Sequence, residues 1–507
     1  MLCKVRSSVL TGLTASAVDV EVEAGDGKES YTTIGMGDIA VRESKDRVLS
    51  AIKKCGIMCK PKVLVSLAPA ELKKEGSAFD LAIAVGLIAA SWQGDALDVS
   101  DKCFVGELSL NGDIRPVRGI VAHAIEALES GLDEIVVSRE NELEAKLVRG
   151  INVVAVSTLG ELIDYLANGV VPESQSKVVQ DTQLSPLKTF SDVKGQKNAK
   201  RAMLIAAAGG HNLLMIGPPG CGKSMLAERF PSILPPLSDS EMLETAKIHS
   251  VAGLHIEDLL QGRRPFRDPH HVISEPGLVG GGSSPRPGEV SLANNGVLFL
   301  DEFPEFKRGV LEALRQPLES KHVIVSRAKM SVEYPASFQL IAAMNPCPCG
   351  RFGASGAGCM CSKSTILNYL KRLSLPVLDR IDLHVQVDAV PYSELCQLET
   401  EADEQKDMQN AVLEAREMAI NRNGCLNSEL SSELIEKSCH VKSDAENLLK
   451  QLAKKNNYSA RGFFRILKVA RTIADLRKSD SVSSEDVAEA ANYRKLHNIE
   501  KYCRGIV

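Results

Sequence analysis

The feature that most constrains the fold is the segment Gly217-Pro218-Pro219-Gly220-Cys221-Gly222-Lys223-Ser224. It fits the phosphate-binding pattern G-x-x-x-x-G-K-[ST]. The apolar run Asn212 to Ile216 before it predicts a buried strand, and Met225 to Phe230 after it predicts a helix. In this order, successive backbone N–H groups turn towards a polyphosphate. A glycine-rich turn that matched the pattern by chance would lack this flanking strand and helix.

This phosphate loop predicts the nucleotide contacts directly. Lys223 supplies a point charge to the β- and γ-phosphates, and the Ser224 hydroxyl is a ligand for Mg²⁺. The expected contact residues are Gly217, Pro218, Pro219, Gly220, Cys221, Gly222, Lys223, Ser224 and Met225.

A second apolar run, Gly296 to Leu300, ends in the acid pair Asp301-Glu302. Such a run is typical of a strand in the middle of a parallel sheet that is covered on both faces. Ligands of these sheets bind at the carboxyl ends of the strands. We therefore expect Asp301 to hold Mg²⁺ beside Ser224, and Glu302 to polarise the attacking water.

Length and charge limit the function classes. With 507 residues the chain is expected to form two to four domains. The net charge of -5 argues against a globally basic nucleic-acid binder, but it leaves room for a local basic channel. No apolar stretch reaches the roughly 18 residues of a membrane span, so we expect a cytoplasmic protein with no membrane partner. Its thirteen cysteines would then be thiols.

The sequence predicts an α/β protein with four segments. Residues 1–167 alternate short strands and helices, 168–190 read as a polar linker, 191–390 hold the nucleotide motifs, and helical patterning dominates within 391–507.

Further motifs carry a family resemblance. Besides the phosphate loop, they are Gly195-Gln196, Pro269-His270-His271, Gly280 to Ser283, Pro285 to Glu289, Asn345 to Gly350, Leu378 to His384 and Ser459 to Gly462. Through them the chain resembles magnesium-chelatase-like AAA+ ATPases, and among these the YifB/ComM family associated with natural transformation. The resemblance implies a parallel-sheet P-loop core, a C-terminal helical lid, and ATP with Mg²⁺ as cofactors.

The same resemblance assigns three further site residues. Asn345 is similar to sensor 1, which positions the hydrolytic water. Arg380 is similar to an arginine finger inserted into a neighbouring subunit's site, and Arg461 to sensor 2, which touches the γ-phosphate of its own site. A finger acting between subunits implies a ring, by family likeness a homohexamer.

Residues 1–167 resemble a Lon-protease-type (S5-like) α+β domain, through Gly106 to Gly112 and Pro116 to Ile120. That family needs a serine activated by a lysine. Ser77 aligns at best one position away from the nucleophile, and Val121 stands where the lysine is expected. We expect a scaffold without peptidase activity.

Two extra pieces interrupt the ATPase core. Gly277 to Gly282 resembles the helix-2 insert of this branch. Val323 to Ser326 and Ser331 to Tyr334 predict a hairpin before sensor 1, with Arg327 and Lys329 at its tip. Around a ring these cations would contact DNA phosphates independently of sequence. A solvated tip with incidental charge is an equally good interpretation from sequence alone.

Cys347, Cys349, Cys359 and Cys361 form two C-x-C pairs separated by nine residues. Four thiolates suit tetrahedral Zn²⁺, so these are candidate zinc ligands; four reduced cysteines in a glycine-rich loop are the alternative.

The function expected from these features is a hexameric ATP-driven motor on DNA, acting as a helicase or in branch migration. The alternatives are an AAA+ protein remodeller and a magnesium-chelatase-type motor subunit. An ATP-dependent protease is disfavoured by Val121.

Overall fold

The computed structural model describes residues 1–35, 37–74, 76–94, 96–174, 188–282, 285–327, 330–352, 358–390, 402–456 and 458–494. The chain divides into two compact units. The first comprises Met1–Leu184 with Asp239–Leu260, and the second Ser185–Ser238 with Gln261–Val507, each within its described residues.

The first unit is built on a seven-stranded mixed sheet. Its strands are β1 Leu2–Thr11, β2 Thr14–Gly25, β3 Ser30–Ile34, β4 Lys62–Ala68, β5 Lys102–Phe104, β8 Glu134–Ser138 and β9 Asn152–Val156. They lie in the order β3-β4-β2-β1-β5-β8-β9. β2 is antiparallel to both β1 and β4, whereas β5, β8 and β9 continue the sheet in parallel with β1. A short antiparallel pair, β6 Glu107–Leu108 and β7 Ile114–Arg115, stands apart from it.

Helices cover this sheet. They are α1 Ile39–Lys54, α2 Asp80–Ser91, α3 Ile120–Glu129, α4 Glu142–Ala145 and α5 Leu159–Asn168. Ten of the twelve residues of α2 are buried, because its apolar side chains face the sheet and neighbouring helices on all sides. The strands β1 and β2 pack against this helix in the core of the unit.

A segment from the middle of the chain completes the first unit. It consists of α8 Asp239–Ala252 and α9 Glu257–Leu260. Helix α8 packs on α3, the backbone N–H of Gly119 donates to the Ser250 carbonyl over 3.0 Å, and the Ser250 hydroxyl donates to Glu144 over 2.5 Å. The sequence-based division assigned this segment to 191–390. The structure places residues 239–260 in the first unit instead. The sequence could not predict this, because the assignment depends on long-range packing, which leaves no local sequence signal.

The second unit contains a five-stranded sheet. Its strands are β10 Leu213–Ile216, β11 Phe266–Arg267, β14 Val297–Leu300, β17 Gln339–Met344 and β18 Leu383–Gln386. They lie in the order β11-β14-β17-β10-β18, and all neighbouring strands are parallel. Every residue of β10, β14 and β17 is buried, as their apolar composition requires in the middle of a covered sheet. This is the parallel α/β core expected for a P-loop ATPase.

Eight α-helices and two short strand pairs surround this sheet in the described residues. The helices are α6 Lys197–Gly209, α7 Lys223–Arg229, α10 Glu275–Val279, α11 Glu289–Leu292, α12 Arg308–Ala313, α13 Arg315–Ser320, α14 Lys363–Leu370 and α15 Leu375–Leu378. Two small antiparallel pairs accompany them, β12 Gly280–Gly281 with β13 Arg286–Pro287, and β15 His322–Arg327 with β16 Met330–Pro335. The second pair lies where the sequence predicts a hairpin.

Five α-helices make up most of the described residues of the C-terminal part. They are α16 Ala402–Asn423, α17 Ser432–Ser438, α18 Ser443–Asn456, α19 Ala460–Leu476 and α20 Ser484–Asn492. Helix α16 packs against both α6 and α19, so core and C-terminal helices share one apolar interior. Within the described residues, no helix is long and apolar enough to cross a membrane.

Candidate nucleotide-binding site

The phosphate loop joins the end of β10 to the start of α7. The close approach of Gly217 to the residue that follows β18 requires a glycine, because a Cβ there would lie 2.2 Å from the Val387 carbonyl oxygen. Gln196 holds the loop from outside, since its side-chain amide donates to the carbonyls of Cys221 and Asp388 over 3.0 and 2.7 Å. Contacts with residues before and after the loop in the sequence therefore hold the phosphate loop in place.

A cavity of about 370 Å³ opens beside this loop. It is lined by Pro219, Gly220, Gly222, Lys223, Ser224, Met225, Asp301, Glu302, Met344 and Asn345. Of the expected nucleotide contacts, Gly217, Pro218 and Cys221 support the loop from behind: the first two offer carbonyls to Lys223, and Cys221 is buried, which raises the pKa of its thiol.

Lys223 points into the loop. Its Nζ donates to the carbonyls of Gly217 and Pro218 over 2.8 and 2.9 Å, and to Asn345 Oδ1 over 3.3 Å. The lysine from α7 and the amide at the end of β17 thus meet at the same place, as their assigned roles require. A phosphate group can replace these neutral acceptors with a stronger, charge-assisted one.

The structure also brings Ser224 and Asp301 together. The Ser224 hydroxyl donates to Asp301 Oδ2 over 2.7 Å, so a hydroxyl and a carboxylate oxygen face one site. Both are hard oxygen ligands of the kind that Mg²⁺ prefers, which fits the predicted metal position. Asp268, directly after β11, brings a further carboxyl group near Asp301. Burial raises the pKa of the Asp268 carboxyl, and the charge of Asp301 raises it further.

Glu302 has a partner that the sequence reasoning missed. His271 Nδ1 lies 3.1 Å from Glu302 Oε2, and the His271 ring is tilted by 32° against the His270 ring with the centroids 4.2 Å apart. Glu302 has a φ of 51°, in the left-handed region, which is costly for a residue with a side chain. Pro269-His270-His271 was identified as a motif, but nothing in the sequence pairs it with an acid 31 positions further on.

The two arginines assigned by resemblance line a different cavity. This cavity, of about 460 Å³, includes Arg380, Arg461, Arg465, Lys468 and Glu319 in its wall. Arg380 is mostly buried, forms an ion pair with Glu319 and donates to the Pro376 carbonyl over 2.5 Å. Arg461 is exposed and has no ion-pair partner among the described residues. The role of Arg461 at the nucleotide of its own subunit stays a prediction, and its place beside Arg380 does not favour it.

The first unit offers no peptidase geometry at the expected residues. The Ser77 hydroxyl donates to the Glu107 carboxylate, and Val121 is fully buried in α3. A Ser8–His123 pair does exist, with 2.7 Å between Oγ and Nδ1, but it is buried within the unit, and burial lowers the pKa of His123 to about 4. A substrate cannot reach such a pair.

Two further sets of predicted site residues have different outcomes. Lys329 and the Arg327 side chain lie outside the described residues. The four cysteines Cys347, Cys349, Cys359 and Cys361 do converge, with all four sulfur atoms within 4.8 Å of one another.

Three protein-family models match this chain, and together they span most of its length. A family described as magnesium chelatase, subunit ChlI, matches residues 189–395; one described as subunit ChlI of Mg-chelatase matches 20–141; and the corresponding C-terminal family matches 402–494.

Relatives match over nearly the full length. Competence protein ComM of Haemophilus influenzae is 42% identical over 98% of both chains, and the uncharacterised protein YifB of Escherichia coli is 40% identical over 98% of this chain and 97% of its own. The magnesium-chelatase 38 kDa subunit of Rhodobacter capsulatus is 26% identical over 32% of this chain and 51% of its own. The chain therefore belongs to the ComM/YifB family of magnesium-chelatase-like AAA+ ATPases.

Proposed function

We propose that the protein is an ATP-hydrolysing motor that assembles as a homohexameric ring and moves along DNA independently of sequence, as a helicase or in branch migration during transformation or recombination. One observation supports the ring assembly: Lys223 and Arg380 line separate cavities of the same chain. A hydrolysis site that needs both cations is completed by a second copy.

Each residue at the phosphate loop has a separate task in this proposal. Lys223 exchanges its carbonyl acceptors for the β- and γ-phosphates, and Asn345, already 3.3 Å from Lys223 Nζ, orients the water that attacks the γ-phosphate. Glu302 accepts the proton of that water. Ser224 and Asp301 would hold Mg²⁺, which neutralises charge on the phosphate oxygens. Zn²⁺ at the four cysteines would be a structural ion.

The arginines act on the neighbouring subunit. In the single chain Arg380 is paired with Glu319, so it must leave that carboxylate before it reaches a phosphate. Arg461 lines the same cavity and is exposed, so we assign it to the same neighbouring nucleotide rather than to its own. A cation supplied by a neighbour is worth about three to five orders of magnitude in phosphoryl transfer.

Two observations support DNA as the substrate of the motor. The Haemophilus influenzae relative is named a competence protein, and competence is the ability to take up DNA. The antiparallel pair β15–β16 is formed, and in the sequence Lys329 lies between its two strands, two positions after Arg327. The net charge of -5 agrees with contact through a local pore rather than through the whole surface.

The decisive experiment measures ATP hydrolysis with and without single-stranded or forked DNA, at rising salt. We expect stimulation that is indifferent to sequence and falls steeply with salt, because phosphate contacts release counterions. The double variant Arg327→Ala with Lys329→Ala should lose strand movement while keeping basal hydrolysis. Lys450→Ala with Lys454→Ala, two lysines on α18, is the matched control and should behave like the parent. A tip variant that moves DNA normally contradicts the assigned contact.

Two other functions have less support. A protein remodeller would use the same ring, and it becomes the better proposal if no DNA stimulates hydrolysis at low salt. A magnesium-chelatase motor subunit is supported by the 26% identity to the Rhodobacter capsulatus subunit, but that likeness covers only 32% of this chain.

A further inference from the structure

The four cysteines that follow sensor 1 form a compact cluster. Sulfur–sulfur distances are 3.3 Å between Cys347 and Cys349, 3.7 Å between Cys347 and Cys359, and 3.6 Å between Cys349 and Cys359. These values are too long for a disulfide bond. Four sulfur atoms around Zn²⁺, each about 2.3 Å from the metal, lie about 3.8 Å apart at the corners of a tetrahedron. The cluster is therefore close to the geometry of a four-thiolate zinc site.

The backbone around the cluster is arranged for charged sulfur atoms. The N–H of Phe352 donates to Cys347 Sγ over 3.4 Å, and the N–H of Arg351 donates to Cys349 Sγ. Such hydrogen bonds orient a metal-binding ligand and stabilise its negative charge. Gly350, directly before these two N–H groups, turns the chain with a φ of 75°, and its own N–H donates to the Cys347 carbonyl over 2.9 Å.

The cysteine turn contacts the phosphate loop. A Cβ on Gly350 would lie 2.4 Å from the Pro219 Cδ atom, so the turn presses directly on a residue that lines the nucleotide cavity. On its other side the turn begins two residues after Asn345, which also lines that cavity. Cys361 is followed by Ser362, whose hydroxyl accepts from the Thr365 N–H over 3.2 Å and starts helix α14. The cluster thus joins the end of β17, the phosphate loop and α14.

We infer that the four cysteines bind one Zn²⁺ and that this ion fixes Asn345 and Pro219 in the positions needed for ATP hydrolysis. The ion takes no part in the reaction. The ion holds together the segment between β17 and α14, whose described residues contain neither helix nor strand. The inference rests on the proposed ATPase activity for its second half, whereas the metal site itself can be tested without any activity.

The first test is metal content of the full chain purified without chelator. We expect one zinc and no iron per chain, four thiols released to a chromogenic reagent together with the zinc, and loss of zinc in Cys361→Ser. Cys59→Ser is the matched control, since Cys59 is also a half-buried thiol but lies in the first unit. Less than about 0.1 zinc per chain overturns the inference, as does iron in its place or full zinc in Cys361→Ser.

The second test separates positioning from folding. In Cys361→Ser the turnover of ATP should fall about tenfold or more, while the affinity for a fluorescent ATP analogue falls much less, because Pro219 and Asn345 lose their fixed positions but Lys223 and Ser224 keep theirs. Circular dichroism must show the parent's helix content. If Cys361→Ser misfolds, removing zinc from the intact parent with a mercurial and restoring it should lower and recover turnover. Unchanged turnover in a folded, zinc-free protein overturns the coupling. If the parent itself shows no hydrolysis, the proposed function fails instead, and the zinc content is unaffected by that result.

Discussion

At the scale of single residues, three side-chain pairs meet at the candidate nucleotide site: Lys223 with Asn345, Ser224 with Asp301, and His271 with Glu302. In each pair one partner comes from the phosphate loop or the end of a strand, and the other from a segment far away in sequence. The parallel sheet makes this possible, because the carboxyl ends of its strands meet at one edge.

The first prediction concerns the different tasks of Lys223 and Glu302. Lys223→Ala should weaken ATP binding, because the charge for the β- and γ-phosphates is lost. Glu302→Gln should bind ATP like the parent and hydrolyse it at least about 10²-fold more slowly, because an amide does not accept the proton of the attacking water. Nucleotide binding by fluorescence and phosphate release measure the two effects. Hydrolysis at the parent's rate in Glu302→Gln would remove that residue from its role.

Sequence reasoning assigned Lys223, Ser224 and Asp301 to one site, and all three line one cavity; their roles in hydrolysis stay predictions. The roles of Lys223 and Ser224 follow from a contiguous pattern, and Asp301 is found by the strand before it. His271 and Asp268 were missed because only the fold brings them to the acid pair. The cavity of Arg461 was missed for the same reason: it depends on how the C-terminal helices pack on the core through α16.

At the scale of elements, a buried ionic network ties β18 to helix α19. Asp382, just before β18, accepts from Arg465 over 2.7 Å and lies 3.0 Å from His211 Nδ1; His211 Nε2 in turn lies 2.8 Å from the Thr472 hydroxyl. Arg380 stands two residues before Asp382, so the C-terminal helices determine where that arginine is held.

A second prediction follows from the charge of Asp382. Burial by itself would raise the pKa of this carboxyl, but the charge of Arg465 and the hydrogen bond with His211 outweigh it and hold the pKa well below its usual range. Asp382→Asn should lower the free energy of unfolding by about 3–5 kcal/mol at neutral pH, because Arg465 loses its buried partner. Exposed Asp407→Asn on α16 is the control and should change it by less than about 0.5 kcal/mol.

The pH dependence of this difference has a definite sign. The folded-state pKa of Asp382 is depressed, so its contribution is complete above the unfolded value of about 3.9 and is lost as pH falls below that value. Urea unfolding followed by circular dichroism should therefore show the parent and Asp382→Asn converging below about pH 4. A gap that is constant down to pH 3 would contradict the ion pair as the cause.

At the scale of the whole molecule, the separation of Lys223 from Arg380 predicts shared sites. Arg380→Ala and Lys223→Ala should each be inactive, whereas a mixture should recover part of the activity, because some interfaces combine an intact lysine with an intact arginine. Hydrolysis is measured across mixing ratios after mixed assembly has been verified by differently tagged chains. No recovery at any ratio would argue against an arginine supplied by a neighbour.

The insertion of residues 239–260 into the first unit makes a further prediction. A fragment of residues 188–507 should aggregate, because α8 loses the partner surface of α3. The same fragment with 239–260 replaced by a short Gly/Ser turn should stay monodisperse in size-exclusion chromatography. The ends of the insert allow this replacement, since the Leu237 N–H donates to the Gly262 carbonyl over 2.9 Å. Equal behaviour of the two fragments would contradict the packing.

The same insertion delays completion of the first unit during synthesis on the ribosome. The chain has made residues 1–174 long before it reaches residue 260, and 86 residues separate the two positions. At roughly 5–20 residues per second this takes about 4–17 s. Throughout that interval the Gly119 N–H and the surface of α3 lack the helix that will cover them. The first unit is therefore completed only after the phosphate loop has been made, and its uncovered face is open to chaperones during that interval.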